Sequence, residues 1–149
     1  GKKDFASITI GKAMMNSEVG FCKRVLEVFD NNGISIEHMP SGIDTMTILV
    51  HQDEFEEKEQ EVVAGIHRAV EPDFVEMESD LALIAVVGRG MKSTRGTSGR
   101  IFSALAHANV NVRMIDQGSS ELNIIIGVRN HDFDNAIKAI YDIFVMTQL

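Results

Sequence analysis

The sequence predicts an α+β chain of two successive ferredoxin-like βαββαβ modules, each an antiparallel sheet with helices on one face. Three observations carry this expectation. The chain repeats itself at an offset of 76 positions, each half follows the same alternation of strand and helix patterns, and the composition is that of an ordinary globular protein, 44% hydrophobic and 24% charged.

At that offset Ile8 and Ile10 fall on Ile84 and Val86, Gly20 on Gly96, and Val25, Leu26 and Phe29 on Ile101, Phe102 and Leu105. Ile34, Ser35 and Ile36 fall on Val110, Asn111 and Val112. Gly42 falls on Gly118, and Met46, Ile48 and Val50 on Leu122, Ile124 and Ile126. The register holds across more than forty residues and keeps two glycines in place, which chance matching of apolar residues does not readily do. The two halves are taken as domains, residues 1–79 and 80–149.

Each half opens on a short strand, Phe5 to Gly11 and Leu81 to Val87. A helix follows. Phe21, Val25, Val28 and Phe29 in the first half, and Ile101, Leu105 and Ala108 in the second, recur at helical spacing and draw one buried stripe. Asn31-Asn32-Gly33 ends the first helix, glycine suiting the left-handed cap, and His107-Ala108-Asn109 ends the second. Two strands come next in each half, Ile34–Met39 with Thr45–Val50 and Val110–Ile115 with Leu122–Val128, separated by Pro40-Ser41-Gly42 and by Gln117-Gly118-Ser119-Ser120. The second helices are lined by Val62, Val63, Ile66 and Val70, and by Phe133, Ala136, Ile137, Ile140 and Phe144. Pro72 stops the former, and Phe74–Met77 makes a last strand. In the second half only Val145–Leu149 remains, room for one short strand after a turn. Either that strand is very short or a segment upstream of Gly1 fills its place, since an open sheet edge invites pairing.

Several function classes are disfavoured at once. No apolar run approaches the roughly 18 to 20 residues that span a bilayer, so no membrane partner is expected. The net charge of −8 is concentrated in the first half, with 7 basic and 16 acidic residues in 1–79 against 7 and 6 in 80–149. An acidic chain lacks the basic footprint that nucleic acid requires. The acidic run Asp53–Glu61 reads as a solvated helix face. Cys22 is the only cysteine, which excludes an internal disulfide and fits a reducing, cytoplasmic setting. The start, Gly1-Lys2-Lys3-Asp4-Phe5, has neither initiator Met nor signal peptide, as expected of a piece of a longer protein.

No catalytic set emerges. Gly88–Gly99 follows a strand and opens a helix, where phosphate cradles sit, but Met91 stands where a P-loop needs glycine and Ser93 replaces the third glycine of a Gly-x-Gly-x-x-Gly pattern. It reads as a strand-to-helix loop, with anion binding at the helix start as the alternative. His38, His51, His67, His107 and His131 show no metal-ligand spacing, so no metal is expected. Cys22, beside Phe21, reads as a small buried thiol, and Ser41, Ser119 and Ser120 lie in turns with no base beside them. What remains is the turn Met14–Phe21 leading into the first helix, together with Ile34–Glu37 at the start of the second strand, two segments expected to meet through adjacent strands. Free N–H groups at a helix start suit a carboxylate, and Glu37 suits an ammonium. An amino acid carries both. The simpler reading is that Asn16 or Ser17 caps the helix.

Three stretches carry a family resemblance: Met15-Asn16-Ser17-Glu18-Val19-Gly20-Phe21, Glu37–Asp44, and Met114–Ile124 with its Gln117-Gly118-Ser119-Ser120-Glu121 core. With Val86-Val87-Gly88 and Gly90-Met91, they resemble the C-terminal regulatory region of aspartate kinases, a pair of ACT domains, over nearly the whole chain. The resemblance implies a parent enzyme that uses ATP and Mg to phosphorylate the side-chain carboxylate of aspartate. The kinase domain and its Lys-Phe-Gly-Gly motif are not in this sequence, so no catalysis and no cofactor are expected of the chain itself. It further implies that two subunits pair through their ACT domains as a homodimer, with an end-product amino acid bound in the first domain at that interface. Lysine is favoured and threonine is next. Carried over position by position, the site comprises Met14, Asn16, Ser17, Val19, Gly20, Phe21, Cys22, Ser35, Ile36 and Glu37; family members with lysine sites place an Asp where Glu37 stands. The resemblance also implies that a segment upstream of the first ACT domain completes the second, and that this chain starts after it.

Overall fold

A computed structural model describes residues 1–40, 42–87, 97–117 and 123–147. The chain divides into two compact units, one formed by Asp4–Asp80 and the other by Gly1–Lys3 together with Leu81–Leu149.

The first unit follows the predicted order with one addition. Strand β1 (Lys2–Gly11) leads through a tight turn into α1 (Phe21–Asn31), β2 (Ile36–His38) and β3 (Thr45–His51). A short helix, α2 (Gln52–Glu56), then precedes α3 (Glu59–Val70) and the start of β4 (Phe74–Val87). β3 is antiparallel to both β1 and β2, so β3 lies between them, and β4 borders β1 on its other side. The apolar stripe on α1 buries the four predicted residues, Phe21, Val25, Val28 and Phe29, and α3 buries Val62, Ile66 and Val70. They cover Ala6, Ile8 and Ile10 of β1 and Met46, Ile48 and Val50 of β3, the alternate positions that share one face of the sheet. Gly65 lets α3 approach α1, because a Cβ there would stand 2.8 Å from a Val28 methyl. The acidic run read as a solvated face also contains α2, whose Phe55 is buried in this core.

The second unit repeats the plan. The later part of β4 pairs with β6 (Asn123–Arg129), which pairs with β5 (Val112–Gln117), both antiparallel. Helices α4 (Thr97–His107) and α5 (Phe133–Thr147) supply Ile101, Leu105, Ala136 and Ile140 to a core with Ala82, Ile84, Val86, Ile124, Ile126 and Val128. The 76-residue offset therefore superposes buried on buried: Ile8 on Ile84, Val25 on Ile101, Ile48 on Ile124.

Three expectations change. The strands predicted at Phe74–Met77 and Leu81–Val87 are one strand, β4, of 14 residues. Asp80, with φ 58, joins its two parts. Asp tolerates this left-handed conformation better than most residues. The core-facing positions are odd before it (Val75) and even after it (Ala82, Ile84, Val86). Second, Val145–Thr147 continue α5 instead of forming a strand, since Phe133–Thr147 is one apolar-striped helix with no breaker. Third, Gly1–Lys3, assigned by sequence to the first domain, cluster with the second unit. Gly1 lies against the Leu83 carbonyl and the Phe133 ring, and the Lys3 ammonium sits 5.3 Å from that ring's centroid. The start of β1 thus occupies a place that was expected to be filled by residues upstream of Gly1.

Candidate functional site

The turn between β1 and α1 is closed by its own backbone. Met15–Ser17 form a single 3-10 turn entered by Met14 at φ 63, and α1 is entered by Gly20 at φ 77. Glycine is favoured there, because a side chain at positive φ is strained and would also crowd the Arg24 guanidinium. Met15 and Phe21 are buried and root the turn in the core, whereas Met14 and Val19 project outward, 71% and 92% exposed.

Side chains then tie the turn down from several directions. Lys12 Nζ donates to the Val70 carbonyl at 2.6 Å, at the C-terminal end of α3, where a cation is favoured by the helix dipole. It also stands 3.1 Å from Glu18 Oε2 and donates to Oε1 at 3.3 Å. Arg24 reaches back to Glu18 Oε1 at 3.1 Å and to the Val19 carbonyl at 3.0 Å. Asp73 accepts from the Ala13 amide at 2.8 Å, and its own amide donates to the Gly11 carbonyl at 2.8 Å. Glu18 Oε2 is buried, and the Lys12 ammonium at 3.1 Å is its ion-pair partner.

Neither Asn16 nor Ser17 caps α1. The cap residue is Gly20, with no side-chain hydrogen bond, and the Ser17 hydroxyl donates to the Met14 carbonyl at 2.8 Å. The capping explanation of these residues is therefore set aside: the first turn of α1 has no side chain capping its amides, which are the groups that attract an anion. Cys22 is exposed on that first turn, contrary to the buried thiol expected.

The second segment sits elsewhere. Ser35 is exposed, and its amide lies 3.4 Å from Glu54 Oε2. Ile36 packs on the core, and Glu37 is exposed with its Oε1 2.7 Å from His51 Nε2. Sequence reasoning expected β1 and β2 to be adjacent, and they are not. Ile36 pairs with Val50, which pairs with Ala6, whereas the turn begins beyond Gly11, which pairs with Thr45. Five residues of strand separate the two levels, about 17 Å, and two strand spacings add about 10 Å sideways. Met14, Asn16, Ser17, Val19, Gly20, Phe21 and Cys22 thus form one cluster at one end of the sheet, and Ser35, Ile36 and Glu37 form another at the opposite end.

Gly88–Gly96, Ser41 and the Gly118–Leu122 stretch of the family signature lie outside the described residues. Among the described residues, no three His, Cys, Asp or Glu side chains converge as a metal site. No described helix is long and apolar enough to cross a membrane. A groove between α4 and α5, lined by Ala104, Ala108, Lys138 and Ile143, contains none of the predicted residues.

Residues 84–144 match the ACT domain family. Aspartokinase 3 of Bacillus subtilis is 42% identical over 141 residues, 94% of this chain and 31% of that protein. The chain belongs to the regulatory, ACT-domain region of aspartate kinases. The aspartate kinase of Clostridium acetobutylicum, described as an allosteric enzyme, superposes with a TM-score of 0.90 at 45% identity, over 95% of this chain and 33% of that one. The chain thus spans about a third of the length of these two aspartate kinases. Escherichia coli aspartokinase III, in complex with lysine and aspartate, shares the fold at 19% identity, TM-score 0.72, over 95% of this chain and 31% of that one.

Sequence reasoning missed Lys12, Arg24, Asp73 and Glu54 as supports of these segments and left His51 without a partner. Only Lys12 carried a local signal, a charged residue directly after a buried strand. The others depend on strand register and on the α3–β4 connection.

Proposed function

We propose that the first unit is the effector-binding domain of an aspartate kinase and that the effector is an amino acid held between two copies of this chain, lysine first and threonine second. The observation that carries this reading is the separation of the two clusters. β2 is an edge strand of three residues, open on its outer side. If a second copy packs antiparallel along this edge with the two-fold axis beyond His38, near Met39, the second copy's Ser35–Glu37 comes to the end of the sheet where the first copy's Met14–Phe21 turn lies. The uncapped start of α1 then faces a carboxylate, and the partner's Glu37 faces an ammonium. Two such sites form per pair. Lysine is favoured by its bound presence in the E. coli relative and by its reach, with charges at both ends.

On this reading the whole protein, in the cytoplasm, transfers phosphate from ATP, with Mg, to the aspartate side chain. The effector lowers that activity by binding more tightly to one subunit arrangement than to another, which is the only way a ligand shifts such an equilibrium. A ligand-free dimerisation role is the second reading, favoured by the exposed Met14, Val19 and Ile43 around the same end of the sheet. Thermal-shift titration with all twenty amino acids separates the two. Stabilisation by lysine or threonine at millimolar concentration is expected, and concentration-dependent association that no amino acid changes would favour the second reading.

A further inference from the structure

The Glu37 carboxylate stands on the short edge strand β2, its Oε1 2.7 Å from Nε2 of His51 on β3. An ionised carboxylate only accepts, so the hydrogen lies on His51 Nε2, which donates. The imidazole is itself held. Its ring stacks on Phe5 with centroids 5.0 Å apart and planes at 29°. Phe5 is its cross-strand partner on β1 and is buried, so the ring rests on a fixed floor. Glu37 and His51 remain 37% and 40% exposed, within reach of a ligand.

We propose that His51 is the positioning residue of the effector site: it holds one oxygen of Glu37 so that the other is presented to the ammonium of the bound amino acid. This rests on the reading of Glu37 as part of that site. A glutamate on a three-residue edge strand otherwise samples several rotamers, and fixing it beforehand removes an entropy cost that the ligand would have to offset. The hydrogen bond also fixes which oxygen is spoken for, leaving lone pairs of Oε2 for an incoming cation.

Calorimetric titration of the chain with lysine, and in parallel with threonine, tests this through a double-mutant cycle. His51→Leu is expected to weaken binding about five- to tenfold, the scale of losing one ordinary intramolecular hydrogen bond. His51→Gln keeps an N–H donor near the Nε2 position and is expected to stay within about twofold of the parent. In a Glu37→Gln background, His51→Leu adds nothing further, because its effect runs through the carboxylate. If His51→Leu unfolds the chain, His51→Asn, whose amide stops short of Glu37, carries the same expectation as His51→Leu. Parental affinity in His51→Leu, or an equal loss in both backgrounds, overturns the inference and leaves the effector site standing. Parental binding that Glu37→Gln does not alter removes Glu37 from the site and overturns it too. A parent that binds neither amino acid fails the effector reading itself and takes this inference with it.

Discussion

The two halves of the candidate site are built on opposite terms. The Met14–Phe21 turn is rooted by two buried side chains, entered through left-handed residues at both ends, tied by Lys12 to the end of α3 and by Asp73 to the start of β4, and held from within α1 by Arg24. The Ser35–Glu37 segment has three residues of strand, an irregular register against β3, and side-chain contacts from Glu54 and His51. One half is continuous with the fold on every side; the other lies on a short edge strand.

Substitutions break or sharpen that contrast. The largest effect is expected at Phe21, fully packed under the turn: Phe21→Ala is expected to destabilise the chain by about 3–5 kcal/mol through the lost contacts and the cavity left behind, read as a shifted urea midpoint at constant slope. Next comes Gly20→Ala, where a Cβ at positive φ is expected to cost about 1 kcal/mol and to weaken lysine binding, because the α1 amides move with it. Asp73→Ala removes the acceptor of the Ala13 amide and is expected to cost about 1 kcal/mol, with faster hydrogen exchange at that amide than elsewhere in the turn. At the edge-strand half, Glu37→Gln is expected to leave thermal stability within about 0.5 kcal/mol while removing most of the lysine affinity. A large stability loss from Glu37→Gln, or none from Phe21→Ala, would dissolve the distinction.

Much of this was readable beforehand, because local periodicity reports what local packing will do. The stripe on α1 and the buried alternation on β1 and β3 follow from spacing alone, and the repeat made each prediction twice. Three features could not be read in that way. The joining of two strands into β4 turns on one residue, Asp80, adopting a left-handed conformation, and Asp-Leu in sequence carries no sign of it. The placement of Gly1–Lys3 with the second unit is a matter of long-range pairing, and the helix through Thr147 shows that an apolar tail without a turn residue prefers to extend the element already nucleated. The most consequential miss was strand order. Chain order suggested that β1 and β2 meet, and only the register of β3 between them shows Glu37 at the far end from Val19. That register is also what pairs His51 with Phe5 and brings it to Glu37.

The claim that the site is shared between two copies has one direct test: lysine binding to a mixture of two damaged chains. Val19→Asp sets a carboxylate in the turn against the ligand's own, and Glu37→Gln removes the ammonium partner; each variant alone is expected to bind poorly. In a mixed pair, one site collects both lesions and the other collects neither, so an equimolar, equilibrated mixture is predicted to recover about a quarter of the parental sites at parental affinity. A mixture that binds no better than its separate components would contradict a shared site.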